Sequence, residues 1–234
     1  MKKNVVFIDL GLIEYEAAWA YQEKLFNAVI QSKLNASEEG KDYDALDYLI
    51  FCEHPHVFTL GKSGSEENLL VGQLALKQKQ AVFVKTNRGG DITYHGPGQI
   101  VGYPILNLEK YVSGIKGYID LLEQSIIDCL ETYGLKGERL EGATGVWLDT
   151  SDNKRTRKIC AIGVRTSRWV SMHGFAFNIN TDLDYFNMIN PCGFIDKSVT
   201  SLEKELGQKQ NIEEVKQTLL ESITRNFNMQ ILSK

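Results

Sequence analysis

A chain of 234 residues, 43% apolar and 24% charged, has the make-up of a globular protein with room for a substantial core. Its formal charge of −4 argues against nucleic-acid binding through bulk electrostatics, and no run reaches the ~20 apolar residues of a membrane helix, so neither nucleic acid nor membrane is an expected partner. Four scattered cysteines, with no CxxC pair and no Cys/His cluster at metal-site spacing, point to reduced thiols in a cytoplasmic protein with no metal and no cofactor.

At the start, Met1-Lys2-Lys3 precedes the apolar Val5 to Ile8, but Asp9 ends that run well short of the roughly 7–15 residues of a signal-peptide core. Val5 to Ile8 reads instead as a short buried strand. Glu14 to about Lys33 reads as a helix whose apolar face is Ala18, Tyr21, Leu25 and Val29. Asn35 to Lys41 reads as a polar loop. Tyr48 to Cys52 and Val57 to Leu60 are strand-like, split by a His54-Pro55-His56 turn, and Val82 to Val84 is another short strand. Arg88 to Gln99 is rich in glycine and is expected to continue neither regular structure. Ile100 to Leu106 reads as a strand that Gly102 and Pro104 would place at an edge.

Ile115 to Tyr133 is the clearest helix: Ile115, Ile119, Leu122, Ile126, Leu130 and Tyr133 make a stripe, and Gly134 follows as a stop. Val146 to Leu148, Ile159 to Val164 and Phe175 to Ile179 read as strands. Thr200-x-x-Glu203 and Asn211-x-x-Glu214 open two final helices, the second with an apolar face of Ile212, Val215, Leu219, Ile223 and Phe227. Strands and helices mix without regular βαβ alternation. The expected fold is therefore α+β, a mixed and mostly antiparallel sheet packed with helices. With no linker and no repeat, one domain spanning 1–234 is expected.

Three segments carry groups that regular structure does not need. Arg88-Gly89-Gly90-Asp91-Ile92-Thr93-Tyr94-His95 continues into Gly96-Pro97-Gly98-Gln99, where glycines let the backbone come close to a ligand or simply turn. It lacks the spacing of a phosphate-binding P-loop. In Arg157-Lys158-Ile159-Cys160-Ala161-Ile162-Gly163, strand geometry puts Lys158, Cys160 and Ile162 on one face. Lys158 is then either an exposed strand edge or a partly buried ammonium able to stabilise a thiolate. In Asn190-Pro191-Cys192-Gly193, proline and glycine put Cys192 on a tight turn, although most cysteines are only small buried apolar residues.

Together these segments resemble the lipoate-protein octanoyltransferase family. RGGDITYHGPGQIVGYPILNL is similar to its central motif, KICAIG to its lysine motif, MHGFAFNI to the strand that follows, INPCG to its cysteine motif and EHPHVFTLG to an earlier run. The likeness spans about residues 50–195, and the separation of Lys158 from Cys192 also fits. One departure is Cys160, where the family often has alanine; it puts a second thiol two residues from Lys158.

The resemblance implies a fold like the catalytic domain of biotin and lipoate ligases. It implies Cys192 as acyl-thioester nucleophile and Lys158 as the group lowering its pKa. The substrate site would be lined by Arg88 to His95 together with Ala161-Ile162-Gly163 and Gly174-Phe175-Ala176. The donor would be octanoyl-acyl carrier protein. The acceptors would be apo-lipoyl domains of the glycine cleavage H protein and of oxoacid dehydrogenase E2 subunits. An ATP-dependent lipoate or biotin ligase, an octanoyl amidotransferase acting between lipoyl domains, and a non-catalytic lipoyl-domain binding module are the alternatives. Residues 154–168 hold Lys154, Arg155, Arg157, Lys158, Arg165 and Arg168 without an acidic residue, and read either as a solvated hairpin or as a docking surface for an acidic carrier.

Overall fold

Apolar residues at 49–52 alternate sides, Leu49 and Phe51 facing one core cluster and Ile50 and Cys52 another. A strand of this pattern must be covered on both faces. The computed structural model, which describes residues 2–40, 46–190 and 197–232, meets that need with helices on each side of a large sheet. In chain order the elements begin β1 (Lys3–Leu12), α1 (Tyr15–Glu38), β2 (Asp47–Glu53), β3 (Val57–Leu60), α2 (Gln73–Gln78), β4 (Val82–Lys85), β5 (Ile92–His95) and β6 (Gln99–Ile105). They continue with α3 (Ile115–Thr132), β7 (Glu138–Leu140), β8 (Ala143–Leu148), β9 (Arg157–Ser167) and β10 (Val170–Asn178). The last are β11 (Ser198–Val199), α4 (Leu202–Leu206), α5 (Ile212–Asn226) and β12 (Met229–Leu232).

The large sheet runs β12-β1-β2-β6-β10-β9-β8-β7, with β11 added beside β9. β1 is parallel to β12 and β2, β11 is parallel to β9, and the other neighbours are antiparallel. This is the mixed, mostly antiparallel sheet expected. A smaller sheet, β4-β3-β5, stands apart from it. α1 covers one face of the large sheet, Ala18, Phe26 and Val29 packing with Val101, Ile105 and Met172. α3 and α5 cover the other, where Leu122, Ile126, Leu219 and Ile223 meet Leu49, Ile100 and Phe177. Each such side chain contributes roughly 1.5–3 kcal/mol by leaving water.

Several boundaries differ from the sequence reading. α1 continues through Asn35 to Glu38, where a loop was expected; Asn35 sits on a side facing Gln31, whose amide donates to it (2.8 Å), so its polarity is no bar to helix. The most buried face of α1 is Tyr15, Ala18, Gln22, Phe26 and Val29, with Tyr21 and Leu25 at its margins. Ile115, counted in the α3 stripe, is 39% exposed, and Tyr118 and Cys129 lie in the core instead. The glycine-rich stretch contains β5, because β3 offers it a partner. β6 is central rather than at an edge. Its pairing with β10 ends at Gly102↔Phe175, so Pro104, beyond that point, removes no hydrogen bond on that side. The cap of α4 is Ser201, not Thr200, its hydroxyl accepting from Lys204 N. Asn211 caps α5 as expected.

Candidate active site

A cleft of about 810 Å³ runs along β9 and β10 and is bounded on the other side by the Arg88–His95 stretch. Gly163, Ile162 and Ala161 of β9 pair with Gly174, Phe175 and Ala176 of β10, so the two short binding segments expected from the sequence are three rungs of one ladder. Glycine is needed at this wall. A Cβ at Gly163 would lie 2.9 Å from the Gly89 carbonyl oxygen, and one at Gly174 would strike the Gly102 carbonyl. The gap at Gly163 lets the glycine-rich loop lie directly on β9, where Gly89 N donates to Val164 O (2.9 Å), and the gap at Gly174 leaves room for β6.

One end of the cleft is a closed polar network. The Arg88 guanidinium is buried, and its acceptors are uncharged: the Thr59 carbonyl, the Thr59 hydroxyl (3.0 Å from Nη2) and the Gly89 carbonyl (3.0 Å). Because arginine only donates, the Thr59 hydroxyl must give its proton onward to His95 Nε2 (3.3 Å). His95 Nδ1–H then donates to Gln99 Oε1 (2.9 Å), whose amide donates to Asn178 Oδ1 (2.8 Å), and Asn178 donates to Thr200 O (3.0 Å). The order of donors fixes one neutral tautomer of His95. Burial also holds this imidazole well below the ordinary histidine range, with the Arg88 charge acting in the same direction. His95 therefore orients other groups and carries no charge near neutral pH.

The other end holds Lys158. Its Nζ donates to Thr144 O (3.1 Å) and lies 4.5 Å from the centre of the Trp147 ring. Burial pushes its pKa down to about 8, opposed by the Glu123 carboxylate. A base poised there is half-protonated within a unit of neutral pH. Cys160, the second thiol near it, is fully buried in the core, and burial pushes its pKa up; it is neither reachable nor ionised. Cys192 lies outside the described residues, as do Pro191 and Gly193.

Asn190 and Lys197, at the two borders of that segment, both line the cleft. β11 follows directly, Ser198 pairing with Arg157 and Val199 with Lys158. On the other side Asn190 N donates to Asn68 O (2.8 Å), and the Asn68 amide donates to both oxygens of Asp91 (3.0 and 2.9 Å). Asp91 also accepts from Ile92 N (2.6 Å). It thereby ties the glycine-rich loop to the chain two residues before Cys192.

Of the residues expected in the site, Lys158, Arg88, Gly90, Asp91, Ile92, Thr93, His95, Ala161, Ile162, Gly163, Gly174, Phe175 and Ala176 border the cleft. Gly89 and Tyr94 are not among its walls. Gly89 is spent on the contact with Val164, and Tyr94 turns into a separate aromatic cluster, parallel to Tyr185 at 4.8 Å and bonded through its hydroxyl to His56 Nδ1 (2.7 Å). Sequence reasoning missed Tyr15, Trp147 and His173, which also border the cleft. His173 lay within the MHGFAFNI run, and its φ of +59°, uncommon for histidine, has no sequence signature.

Residues 14–224 match the lipoyl protein ligase A/B catalytic domain, and the chain belongs to that family. The octanoyltransferase of Christiangramia forsetii is 53% identical over 232 residues, covering 99% of each chain. The octanoyltransferase of Flavobacterium johnsoniae is 52% identical over 99% of this chain and 100% of its own. Similar to these relatives from end to end, this chain is an enzyme of their kind, an acyltransferase rather than a passive binding module. Among solved structures, a bi-partite lipoate protein ligase from Thermoplasma acidophilum shares the fold, with a TM-score of 0.77 at 14% identity over 99% of this chain and 87% of that one.

Proposed function

We propose that the chain acts as a single catalytic domain, in the cytoplasm and without a cofactor, moving an octanoyl group from octanoyl-acyl carrier protein onto Cys192 and then to a lysine of an apo-lipoyl domain. The acceptors are those of the glycine cleavage H protein and of oxoacid dehydrogenase E2 subunits. Octanoyl transfer in protein lipoylation follows from the relatives; the thioester route rests on the site. The observation that carries it is Lys158, set in a cleft wall with its pKa at about 8, on the strand to which the chain after Cys192 returns as β11.

In the first half-reaction the Cys192 thiolate attacks the donor's thioester carbonyl and expels the carrier's thiolate, which takes up a proton. Protonated Lys158 favours the attacking thiolate. In the second, the acceptor's amine attacks the acyl-enzyme, its proton passes to neutral Lys158, and the Cys192 thiolate leaves. Near pH 8 both forms of Lys158 are populated, which suits a group used in alternate states. The donor is already activated, so no ATP is consumed. Arg88, His95, the 161–163 segment and the 174–176 segment form the acyl-binding walls.

The test is intact mass after incubation with octanoyl-acyl carrier protein alone. A gain of one octanoyl group, labile to hydroxylamine and mapping to Cys192, is the expected result. No adduct, with transfer that requires ATP and releases pyrophosphate, would establish a ligase. An adduct formed from octanoylated H protein but not from the carrier protein would establish an amidotransferase.

A further inference from the structure

The seat of Lys158 is built by a residue outside every motif considered so far. Gly145 of β8 faces the lysine with φ +122°, a conformation that strains any other residue, and a Cβ there would stand 3.4 Å from Lys158 Cε and 2.5 Å from the Cys160 carbonyl oxygen. The ladder between β8 and β9 shifts register beside it, between Val146 and Trp147. This irregular turn of β8 aims the Thr144 carbonyl at Lys158 Nζ (3.1 Å) and places the Trp147 ring beside it. What holds the turn is Glu123 of α3, a carboxylate only 5% exposed, whose Oε1 accepts from Gly145 N (3.0 Å). Its Oε2 accepts from Arg139 Nε of β7 (3.0 Å). A carboxylate in the middle of α3, facing the core side, has no part in the helix itself and is costly to bury without such partners.

We propose that Glu123 is the positioning residue for Lys158: through Gly145 it fixes the notch that seats the lysine, and its negative charge favours the ammonium form. The functional meaning of this inference rests on the role given to Lys158 above; the geometry does not. Among the described residues, the charged or titratable groups set around the lysine include Cys160 on its own strand, Glu123 from α3, Arg139 behind Glu123, and, along the cleft wall, Lys197, Lys204, Asp91 and Asp184. Of the described carboxylates, Glu123 is the one whose charge acts on Lys158. The direction of its effect on Lys158 is upward, against the larger downward effect of burial.

The experiment reads Lys158 directly. The full-length enzyme is labelled competitively with acetic anhydride from pH 6 to 11, and modification of the Lys158 peptide is followed by mass spectrometry. In Glu123→Gln the side-chain oxygen can still accept from Gly145 N while the charge is gone, and the midpoint should fall by about one unit. Arg139→Met, at a residue 40% exposed, removes the cation that opposes Glu123 and should raise the midpoint by roughly half a unit. An unchanged midpoint in Glu123→Gln overturns the proposal. If that variant does not fold, a midpoint in Arg139→Met that stays or falls overturns it equally. The pH profile of octanoyl transfer, measured on the same proteins, separates the two readings. A lysine midpoint that moves while the rate profile does not would leave Glu123 as the positioning residue and remove Lys158 from the chemistry.

Discussion

The two ends of the cleft are built on opposite principles. Beside Arg88 the buried polar groups are linked in a single ordered sequence, Arg88 to Thr59 to His95 to Gln99 to Asn178, between two sheets. Around Lys158 the wall is an irregular strand, and the lysine meets a carbonyl and an aromatic face. The first arrangement admits one protonation state and one geometry, as suits the fixed acyl-binding wall proposed above. The second leaves a titratable group whose two states are close in free energy, as proton transfer requires. A network whose members are all satisfied is stable because any single loss strands its neighbours. A poised group is the reverse, and its poise is set by how much water the walls exclude.

The largest effect should come from the reactive end. Cys192→Ala should abolish both the octanoyl adduct and turnover, while Cys160→Ala should keep both, since the Cys160 thiol is enclosed in the core. Intact mass and a transfer assay decide it. An adduct that survives Cys192→Ala and maps to Cys160 would overturn the assignment.

Next, Lys158→Met keeps most of the side-chain volume and removes the base. The acceptor half-reaction should slow by about 10²–10⁴-fold. The parent rate should rise with pH through about 8, where the amine becomes neutral, and the variant should lose that limb. Thiol alkylation by iodoacetamide should shift to higher pH in the same variant, because an ammonium neighbour is gone. Stability carries an independent signature. The folded-state pKa of Lys158 lies below its ordinary 10.5, at about 8, so between those values the folded protein binds fewer protons than the unfolded one. Its contribution to stability therefore rises with pH across that window. Urea unfolding of parent and Lys158→Met at about pH 7.5 and about pH 10 should show the difference between the two proteins shrinking as pH rises.

At the closed end, Thr59→Val keeps shape and deletes the hydroxyl that accepts from Arg88 and donates to His95. Two buried groups lose a partner at once, and stability should drop by about 2–3 kcal/mol. Acyl transfer measured at a temperature where both proteins are folded should be weakened through KM more than through kcat. A drop below about 1 kcal/mol would mean that water replaces the hydroxyl and that this end is less closed than the contacts imply.

Much of this contrast was legible in the residues, and the illegible part has physical causes. The strands around Ile159 to Val164 and Phe175 to Ile179 announce themselves by apolar content, and they carry the cleft wall. The Lys158 motif lies on that wall because it is part of the same strand. β5 was hidden, because Ile92 to His95 forms a strand only when β3 is beside it. β6 read as an edge because composition cannot show that β10 ends its pairing before Pro104. Asp91 read as lining the substrate site and does border the cleft, but its bonds to Asn68 were hidden because they depend on a contact between residues 23 apart in sequence. Glu123 gave no signal at all. A glutamate in an amphipathic helix is ordinarily a solvated residue, and only the neighbouring Gly145 and Arg139 turn it into a buried one.

The smallest effect concerns the basic stretch from Lys154 to Arg168, which is not one surface. Arg157 is engaged in the fold: its guanidinium holds both oxygens of Glu205 (2.6 Å each) and Asp149 (2.6 Å). Arg165 lies at the other end of β9, 5.3 Å from the Phe26 ring centre, eight residues and roughly 27 Å of strand away. Reversing Arg157 would set a third carboxylate among two others and disturb the fold, so it cannot report on docking. Arg155 is different. It is 69% exposed, and its ion pair among the described residues is with Asp149 at 3.2 Å, a contact that costs little to lose. Lys154 beside it is exposed as well. The double variant Lys154→Glu, Arg155→Glu therefore tests whether this end of the hairpin steers an acidic carrier. The expected change is a decline of about two- to fivefold in kcat/KM for octanoyl-acyl carrier protein at low salt. It should vanish as added salt shortens the screening length below about 8 Å, and an uncharged octanoyl thioester should react with parent and variant alike. Equal losses with both donors would mean that the damage is to the site. No loss with either would leave this end of β9 a solvated hairpin, its arginines serving Asp149 and Glu205 alone.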